Sequence, residues 1–240
     1  MPHANHLGQP IGAPLAGWKP PPHPPREALA GRSCRLEPLE AAKHARELFD
    51  ANALDADGAL WTYLPYGPFE SFEAYEAWVK DAAAGADPLF FAIVDTQSGK
   101  AAGVASLMRI FPALGSIEVG HINYAPPLQQ TVAASESMYL LMKRAFELGY
   151  RRYEWKCDAF NAKSRQAAQR LGFSYEGLFR QHTIYKGRTR DTAWYSVIDS
   201  EWPALREAFE RWLDPANFDA QGRQLRRLSE LTGPLLKQRG

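Results

Sequence analysis

Apolar residues along this chain recur with two periods, and the switches between them mark out its elements. From Cys34, "CRLEPL" alternates weakly and predicts a short strand. "EAAKHARELFDANAL" then holds Ala41, Ala45, Leu48 and Phe49 on one helical face. "SFEAYEAWVKDAAAG" starts at the cap candidate Ser71, aligns Phe72, Tyr75, Trp78, Val79 and Ala82, and stops at Gly85. Three strands follow in "LFFAIVD", "AAGVASLMRIF" and "SIEVGHINY", the first two joined by the hairpin-like "TQSGK". A helix is expected over about 131–148, with Met138, Leu141, Met142, Ala145 and Phe146 at core spacing. "RRYEWKCDA" alternates cleanly, with Tyr153, Trp155 and Cys157 on one side and Glu154, Lys156 and Asp158 on the other. "NAKSRQAAQRLG" reads as a short helix capped by Asn161 and stopped by Gly172. "FSYEGLFRQHTIY", a turn at "KGRTRD" and "TAWYSVID" read as a long hairpin. "PALREAFERWL" and "GRQLRRLSEL" read as C-terminal helices.

This order predicts a mixed α/β sheet. The helix over about 131–148 crosses between two strands that run parallel and adjacent, which creates one switch point, where ligands tend to bind. The length of 240 residues suits one large domain, or one domain with extensions. Residues 1–31 form a proline-rich arm. Its "KPPPHPP" favours an extended conformation, either disordered or laid along the domain with Trp18 as anchor. A formal net charge of +1 gives no electrostatic case for nucleic acid or an anionic membrane. No stretch approaches the ~18 apolar residues of a membrane helix, and the N-terminus lacks the pattern of a secretory signal, so a cytoplasmic protein is expected. Cys34 and Cys157 stand far apart with no CxxC; two reduced thiols are the plainer reading, a disulfide the other. No metal site is expected.

One junction stands out. "PPLQQTVAASESMYLL" begins at Pro126, directly after a strand, and places small polar residues at the head of a helix. Helix N-termini carry unpaired N–H groups and partial positive charge, and small side chains let a phosphate approach them. On local sequence alone, a plain helix start with Thr131 as cap explains the stretch as well.

Four stretches in order carry a resemblance. Gln129-Gln130-Thr131-Val132-Ala133-Ala134-Ser135-Glu136 fits a phosphate-loop frame. "NAKSRQAAQRLGFSYEG" presents an Asn-x-x-Ser helix followed by Leu-Gly-Phe. "HTIYKGRTRDTAWYSVI" sets Gly187, Asp191 and Tyr195 in a last hairpin, and "CRLEPLEAAKHARELF" is an opening strand and helix. Together they resemble the GCN5-related N-acetyltransferases (GNAT), and within them the RimJ/RimL-like branch. The resemblance covers about residues 32–202, leaving 203–240 as a helical extension. It implies an α/β fold of GNAT type: a mixed, mostly antiparallel central sheet flanked by helices, with a splayed parallel strand pair forming the acetyl-CoA slot. The chain departs from the pattern at Val132, where the family usually has Gly, and a β-carbon there is expected to crowd the phosphate cradle.

The resemblance also implies site residues. The slot falls between 116–124 and 151–159, with backbone amides near Ile122, Asn123 and Tyr124 holding the acetyl carbonyl. Gln129, Gln130, Thr131, Val132, Ala133, Ala134 and Ser135 grip the pyrophosphate of acetyl-CoA, and Asn161 caps its helix or bonds the pantetheine arm. Glu118 is the first candidate for general base, through water, and His121 the second because of its intrinsic pKa. In a regular strand these two point to opposite faces, so a bulge is needed for both to serve one site. Ser164 is the candidate for bonding the departing thiolate. "WTYLPYGPF" carries four aromatics and two prolines and is read as the acceptor wall, with Trp61, Tyr63 and Tyr66 as contacts, or else as a lid on the core. Tyr185 and Asp191 are further acceptor candidates, although Asp191 next to Arg188 and Arg190 favours an ion pair in the turn.

The expected function is transfer of an acetyl group from acetyl-CoA to a primary amine, a protein N-terminus or a small molecule, by direct attack in a ternary complex. The alternative is an inactive GNAT-fold protein that binds acyl-CoA or regulates, which Val132 favours. A dinucleotide-dependent oxidoreductase lacks its GxGxxG. Leu205, Phe209, Trp212 and Leu213 share one side of a late helix, packed either on the domain or on a second copy in a homodimer.

Overall fold

A computed structural model describes residues 3–240. The elements follow in chain order: β1 (His3–Ala4), β2 (Pro10–Ile11), β3 (Leu29–Ala30), β4 (Cys34–Pro38), α1 (Ala41–Asn52), α2 (Phe72–Ala84), β5 (Leu89–Asp95), β6 (Ala101–Phe111), β7 (Ser116–Tyr124), α3 (Val132–Glu147), β8 (Arg152–Asp158), α4 (Ala162–Arg170), β9 (Ser174–Tyr185), β10 (Arg188–Ile198), α5 (Trp202–Leu213) and α6 (Leu228–Thr232). β1 and β2 form a small hairpin of their own, and the other eight strands make one sheet in the order β3-β4-β5-β6-β7-β8-β10-β9. Every pair in it is antiparallel except β7 with β8, which α3 connects as a crossover.

The sheet has a different cover on each face. One face packs Leu36, Phe91, Leu107, Tyr153 and Tyr195 against α3, α4 and α5. The opposite face packs Phe90, Ala92 and Val104 against Leu48 of α1 and Tyr75 and Val79 of α2. β5 is therefore covered on both sides, which explains why "LFFAIVD" is an unbroken apolar run and does not alternate. α1 and α2 stop short of β8 and β10, and there the second face of the sheet is paved with polar side chains.

Glu136, in the second turn of α3, ties the layers together. Its carboxylate accepts hydrogen bonds from the backbone N–H groups of Arg32 (2.8 Å), Ser33 (2.5 Å) and Cys34 (3.2 Å). A Cβ on Gly31 would lie 2.6 Å from the Glu136 carboxyl carbon, so the close approach requires glycine. The proline arm lies along the domain. Trp18 sits beside Arg151 and Gly115, Tyr150 Oη donates to the Pro22 carbonyl (3.2 Å), and Arg26 caps the end of α2 through the Ala83 carbonyl (2.8 Å). Both cysteines are buried and free.

Two expectations for the C-terminal part change. The turn after β9 shrinks to Lys186–Gly187, both at positive φ, and β10 already begins at Arg188. A two-residue turn of this handedness matches strand twist, and the polar run from Arg188 to Asp191 gave the strand start the look of a loop. The helix expected in "GRQLRRLSEL" is only Leu228–Thr232. Upstream, Asp219 Oδ1 accepts from the N–H groups of Gln221 and Arg223 (both 2.9 Å), which commits that segment to turns. α5 packs within the chain, with Phe209 stacked on Tyr139 (5.2 Å) and Trp202 on Phe146 (5.0 Å), both on α3.

At the start of α1, Glu37 meets Lys43, Arg35 (3.1 Å) and His44 (3.2 Å). Hydrogen bonding from Lys43 leads, burial opposes, and His44 and Arg35 add to the lowering, so the carboxyl falls to about 2. A depressed folded value means stability that is present above the unfolded value of 4.5 and lost as pH falls through about 2. Thermal melts between pH 6 and pH 2 are expected to show a shallower acid decline in Glu37→Gln than in the parent, and equal slopes would remove Glu37 as a source of it.

Candidate active site

The slot arises where a ladder stops. β7 and β8 pair in register from Ser116–Arg152 to Val119–Trp155 and no further, although β7 runs on to Tyr124 and β8 to Asp158. Beyond Val119 the edge of β7 that faces β8 therefore has amides and carbonyls without a strand partner, and Ile122, Asn123 and Tyr124 lie in this stretch. β7 is also bulged. Gly120 opposes Ser106 and Asn123 opposes Val104, so two residues of β7 face one of β6, and His121 between them takes φ 51°. The bulge that Glu118 and His121 needed to share a face is thus present.

At the open end of the slot stands the head of α3. Thr131 is its N-cap and accepts from the Ala134 N–H (3.1 Å). The N–H groups of Gln130, Val132 and Ala133 have no partner among the described residues. Gln130 takes φ 62° in the turn before the helix, and the Gln129 amide donates to the Tyr124 carbonyl (2.9 Å), closing the end of β7. Val132 packs its side chain against the main core. Only the side chain beyond the β-carbon is directed to the core; the amides of Gln130, Val132 and Ala133 stay unpaired among the described residues. Ser135 turns away from a ligand at these amides, since its Oγ accepts from Arg170 (2.9 Å).

α4 borders the slot on the β8 side. Asn161 caps it by accepting the Ser164 N–H (3.0 Å), and Ser164 Oγ accepts from Trp155 Nε1 (3.0 Å). Trp155 is the last residue of β8 paired with β7, so Ser164 is pinned beside the point where the strands part. Its hydroxyl is also a hydrogen-bond partner of the Cys157 thiol. Burial pushes the Cys157 thiol up, which makes it a poor nucleophile.

Where α1 and α2 stop short, their face of the sheet carries an ion ladder. Glu118, 3% exposed, receives Arg109 on Oε1 (2.8 Å) and Lys156 beside Oε2 (2.8 Å). Lys156 also meets Glu154 (2.7 Å), Glu154 meets Arg152 (2.6 Å), and Arg152 meets Glu176 (2.5 Å). Burial pushes the Glu154 carboxyl up, but hydrogen bonds from Lys156 and Arg152 outweigh it and the net shift is down. Oε1 of Glu118 is thus hydrogen-bonded by Arg109, while Oε2 has Lys156 Nζ at ion-pair distance but no hydrogen-bond partner. Sequence reading missed Arg109 and Lys156; the clean alternation of "RRYEWKCDA", which set Lys156 beside Glu154 on the polar side, was the available signal.

The bulged His121 is stacked on Tyr66 (5.5 Å, 14° between planes) and lies 5.0 Å from Phe90. Burial, then Arg109, lowers its pKa to about 4. Tyr66 Oη, His121 Nδ1 and Asn123 Oδ1 are buried without partners, and Asn123 shares this face with its ladder partner Val104. Such orphaned atoms are uncommon in a finished core and mark a wall that awaits a ligand or water.

The loop 61–69 closes over this region. Trp61 and Tyr66 belong to an aromatic cluster with Phe69, Tyr75 and Trp78. The loop's backbone reaches the last hairpin, where Lys186 Nζ donates to the Trp61 carbonyl (2.7 Å) and Arg188 to that of Thr62 (2.8 Å). Tyr63 Oη donates to the Phe160 carbonyl beyond β8 (3.2 Å). Of the acceptor candidates, Tyr63 stands at the rim, Tyr66 lines the wall beside His121, and Trp61 is buried as support. Tyr185 donates to Asp158 (2.8 Å). Asp191 makes no ion pair with Arg188 or Arg190; its Oδ1 accepts the Gln181 N–H (2.6 Å). Among the described residues no cluster of His, Cys, Asp or Glu could hold a metal, and no helix is long and apolar enough to cross a membrane.

The "Acetyltransferase (GNAT) domain" family matches residues 34–174. Comparison with curated proteins finds no match. Among solved structures the chain is similar to a GCN5-related N-acetyltransferase from Brucella melitensis, with 49% identity and a TM-score of 0.89 over 91% of this chain and 100% of that one. It is similar to a GNAT-family protein from Chromobacterium violaceum ATCC 12472 at 41% identity and a TM-score of 0.76, over 82% and 98% of the two chains. RimL, a ribosomal alpha-N-protein acetyltransferase, shares the fold at 22% identity and a TM-score of 0.62, over 72% and 94%. With the domain matched across the centre of the sheet and the Brucella protein matched from end to end, this chain belongs to the GCN5-related N-acetyltransferase (GNAT) family.

Proposed function

We propose that the protein transfers an acetyl group from acetyl-CoA to a primary amine, a protein N-terminus or a small amine, by direct attack in a ternary complex. A place in the RimJ/RimL-like branch and work in the cytoplasm belong to this reading. The observation that carries it is the coincidence of two unsatisfied backbone features: the β7–β8 ladder that ends at Val119–Trp155, and the free amides at the head of α3. One suits an extended acyl carrier, the other its diphosphate.

Bound acetyl-CoA supplies an activated acetyl thioester. The amides of Gln130, Val132 and Ala133 hold the pyrophosphate, with Gln129, Thr131, Ala134 and Ser135 shaping the loop. Backbone N–H groups at 122–124 polarise the acetyl carbonyl, and Ser164 donates its hydroxyl hydrogen to the sulfur as charge develops there. Asn161 keeps α4 in register with the slot, and Tyr63 and Tyr66 shape the acceptor side. Direct attack fits the buried cysteines, whose thiols burial has pushed up. The inactive alternative rests on Val132, whose side chain packs on the core while the neighbouring amides are left to carry the pyrophosphate.

The test measures free thiol release from acetyl-CoA over dipeptides, polyamines and aminoglycosides, together with calorimetry of acetyl-CoA binding. Transfer to at least one class of amine is expected. Binding without transfer to any of them would favour the inactive alternative, and no binding would end the transferase reading.

A further inference from the structure

A transferase of this kind needs a group that takes the proton from the attacking amine, and the two candidates on β7 are poorly placed. Glu118 is buried in ion pairs with Arg109 and Lys156, and His121 is clamped between Tyr66 and Phe90 with a pKa near 4, too weak a base for the task at neutral pH. The last hairpin holds a third group that neither motif nor family match points to.

β9 and β10 pair regularly at Thr183–Arg190 and again at Phe179–Thr192. Between these pairs three residues of β9, Arg180, Gln181 and His182, face Asp191 alone. In an unbulged ladder His182 would oppose Asp191 and point to the other face of the sheet. The irregularity turns it onto the face of Thr192, and its Nδ1 lies 3.0 Å from Thr192 Oγ1. Thr192 is fully buried and level with Asp158 at the parted end of β8. The His182 ring packs edge-on to Phe179 (5.6 Å) and Trp194 (5.8 Å), and Trp194 in turn covers Lys156 Nζ at 3.9 Å. Gln181 carries the strain at φ 47°, and Asp191 Oδ1 holds its N–H at 2.6 Å. A non-glycine residue kept in this region by a dedicated carboxylate is the kind of strain that accumulates where geometry serves function.

We propose that His182 Nε2 accepts the proton of the acceptor amine, and that Asp191 is a positioning residue whose grip on Gln181 holds the histidine over the site. This rests on the transferase reading above. The amine nitrogen forms its bond to the acetyl carbon as the carbon–sulfur bond breaks. The electron pair leaves on sulfur, the nitrogen's proton passes to His182 Nε2, and the thiolate recovers a proton from the imidazolium or from solvent. Thr192 Oγ1 accepts from Arg190 Nε (3.1 Å), and the proposal requires its second lone pair to accept from His182 Nδ1–H, which leaves Nε2 unprotonated. The groups facing His182 are Arg190 on β10, Arg109 on β6, Lys156 on β8 and Glu118 on β7. Burial and the three cations lower its pKa while Glu118 opposes them, so the ring is neutral and ready to accept.

Two measurements on the full-length protein test this. Imidazole nitrogen NMR at neutral pH, with His182→Gln supplying the assignment, is expected to show neutral His182 in the Nδ1–H form and titrating below the ordinary histidine value. The Nε2–H form, or a raised value, would overturn the proposal with or without a known acceptor. Kinetics with an amine found by the acceptor screen are expected to show kcat/KM about 100-fold lower in His182→Gln, an unchanged KM for acetyl-CoA, loss of the acid limb of the pH profile, and partial rescue by added imidazole. Asp191→Ala is expected to lower kcat while keeping that limb. A His182→Gln enzyme that folds as the parent does and keeps rate and limb would sink the proposal while leaving the transferase reading intact; a parent that transfers to no amine would sink that reading instead.

Discussion

Lys156→Met is expected to lower the free energy of unfolding by about 3 kcal/mol, toward the lower end of what breaking a buried ion pair costs. Lys156 is 7% exposed at the side chain and lies between Glu118 and Glu154, themselves 3% and 13% exposed. Methionine matches the aliphatic stem, so little packing is lost. The loss comes from two carboxylates left under the sheet surface with one cation fewer. Each keeps an arginine, Arg109 or Arg152, which holds the effect below the upper end of the range. Urea unfolding reads it as a lower midpoint at unchanged slope. Adding Glu118→Gln to the methionine variant removes one stranded charge and is expected to recover a substantial part of the deficit. A single variant as stable as the parent would show that water reaches this ladder and that the ions are effectively surface pairs.

Glu136→Ala is expected to have an effect of similar size, about 3 kcal/mol, because three backbone donors lose a charged acceptor at once. Arg32, Ser33 and Cys34 enter β4 through that carboxylate. Glu136→Gln keeps the shape and one acceptor oxygen but sets an amide NH2 against N–H groups, so roughly half of the loss is expected to remain. Gly31→Ala tests the same contact from the other side, since its Cβ would fall 2.6 Å from the carboxyl carbon. Comparable destabilisation in Glu136→Ala and Gly31→Ala, measured by denaturant midpoint, is the expected pattern. Stability unchanged in both would mean that α3 is held by its apolar face alone.

Much of the architecture could be read before any coordinates, because it rests on local periods. The 3.6-residue stripe of α2, its Ser71 cap and its stop at Gly85 all appear as expected, with Ser71 Oγ accepting the Ala74 N–H. The alternation in β8 separated Tyr153, Trp155 and Cys157 from Glu154, Lys156 and Asp158, and burial follows that division with Asp158 as the buried exception. The C-terminal "GRQLRRLSEL" misled because an amphipathic spacing survives in a segment that Asp219 turns into loops. Asp191 misled in the opposite direction. Neighbouring arginines suggested an ion pair, whereas a bulge ten residues upstream takes the carboxylate.

The sequence by itself determined which segments are helix or strand, which face of each is apolar, and where a helix head with small residues follows a strand. These are consequences of side-chain spacing and of unpaired amides at helix ends, and both act within a few residues. Tertiary structure alone decided where β7 and β8 part, that Val132 turns to the core, that Glu118 lies between Arg109 and Lys156, and that a bulge swings His182 across the sheet. Each of those depends on register and on partners distant in sequence, and a shift of one residue in a strand exchanges its faces.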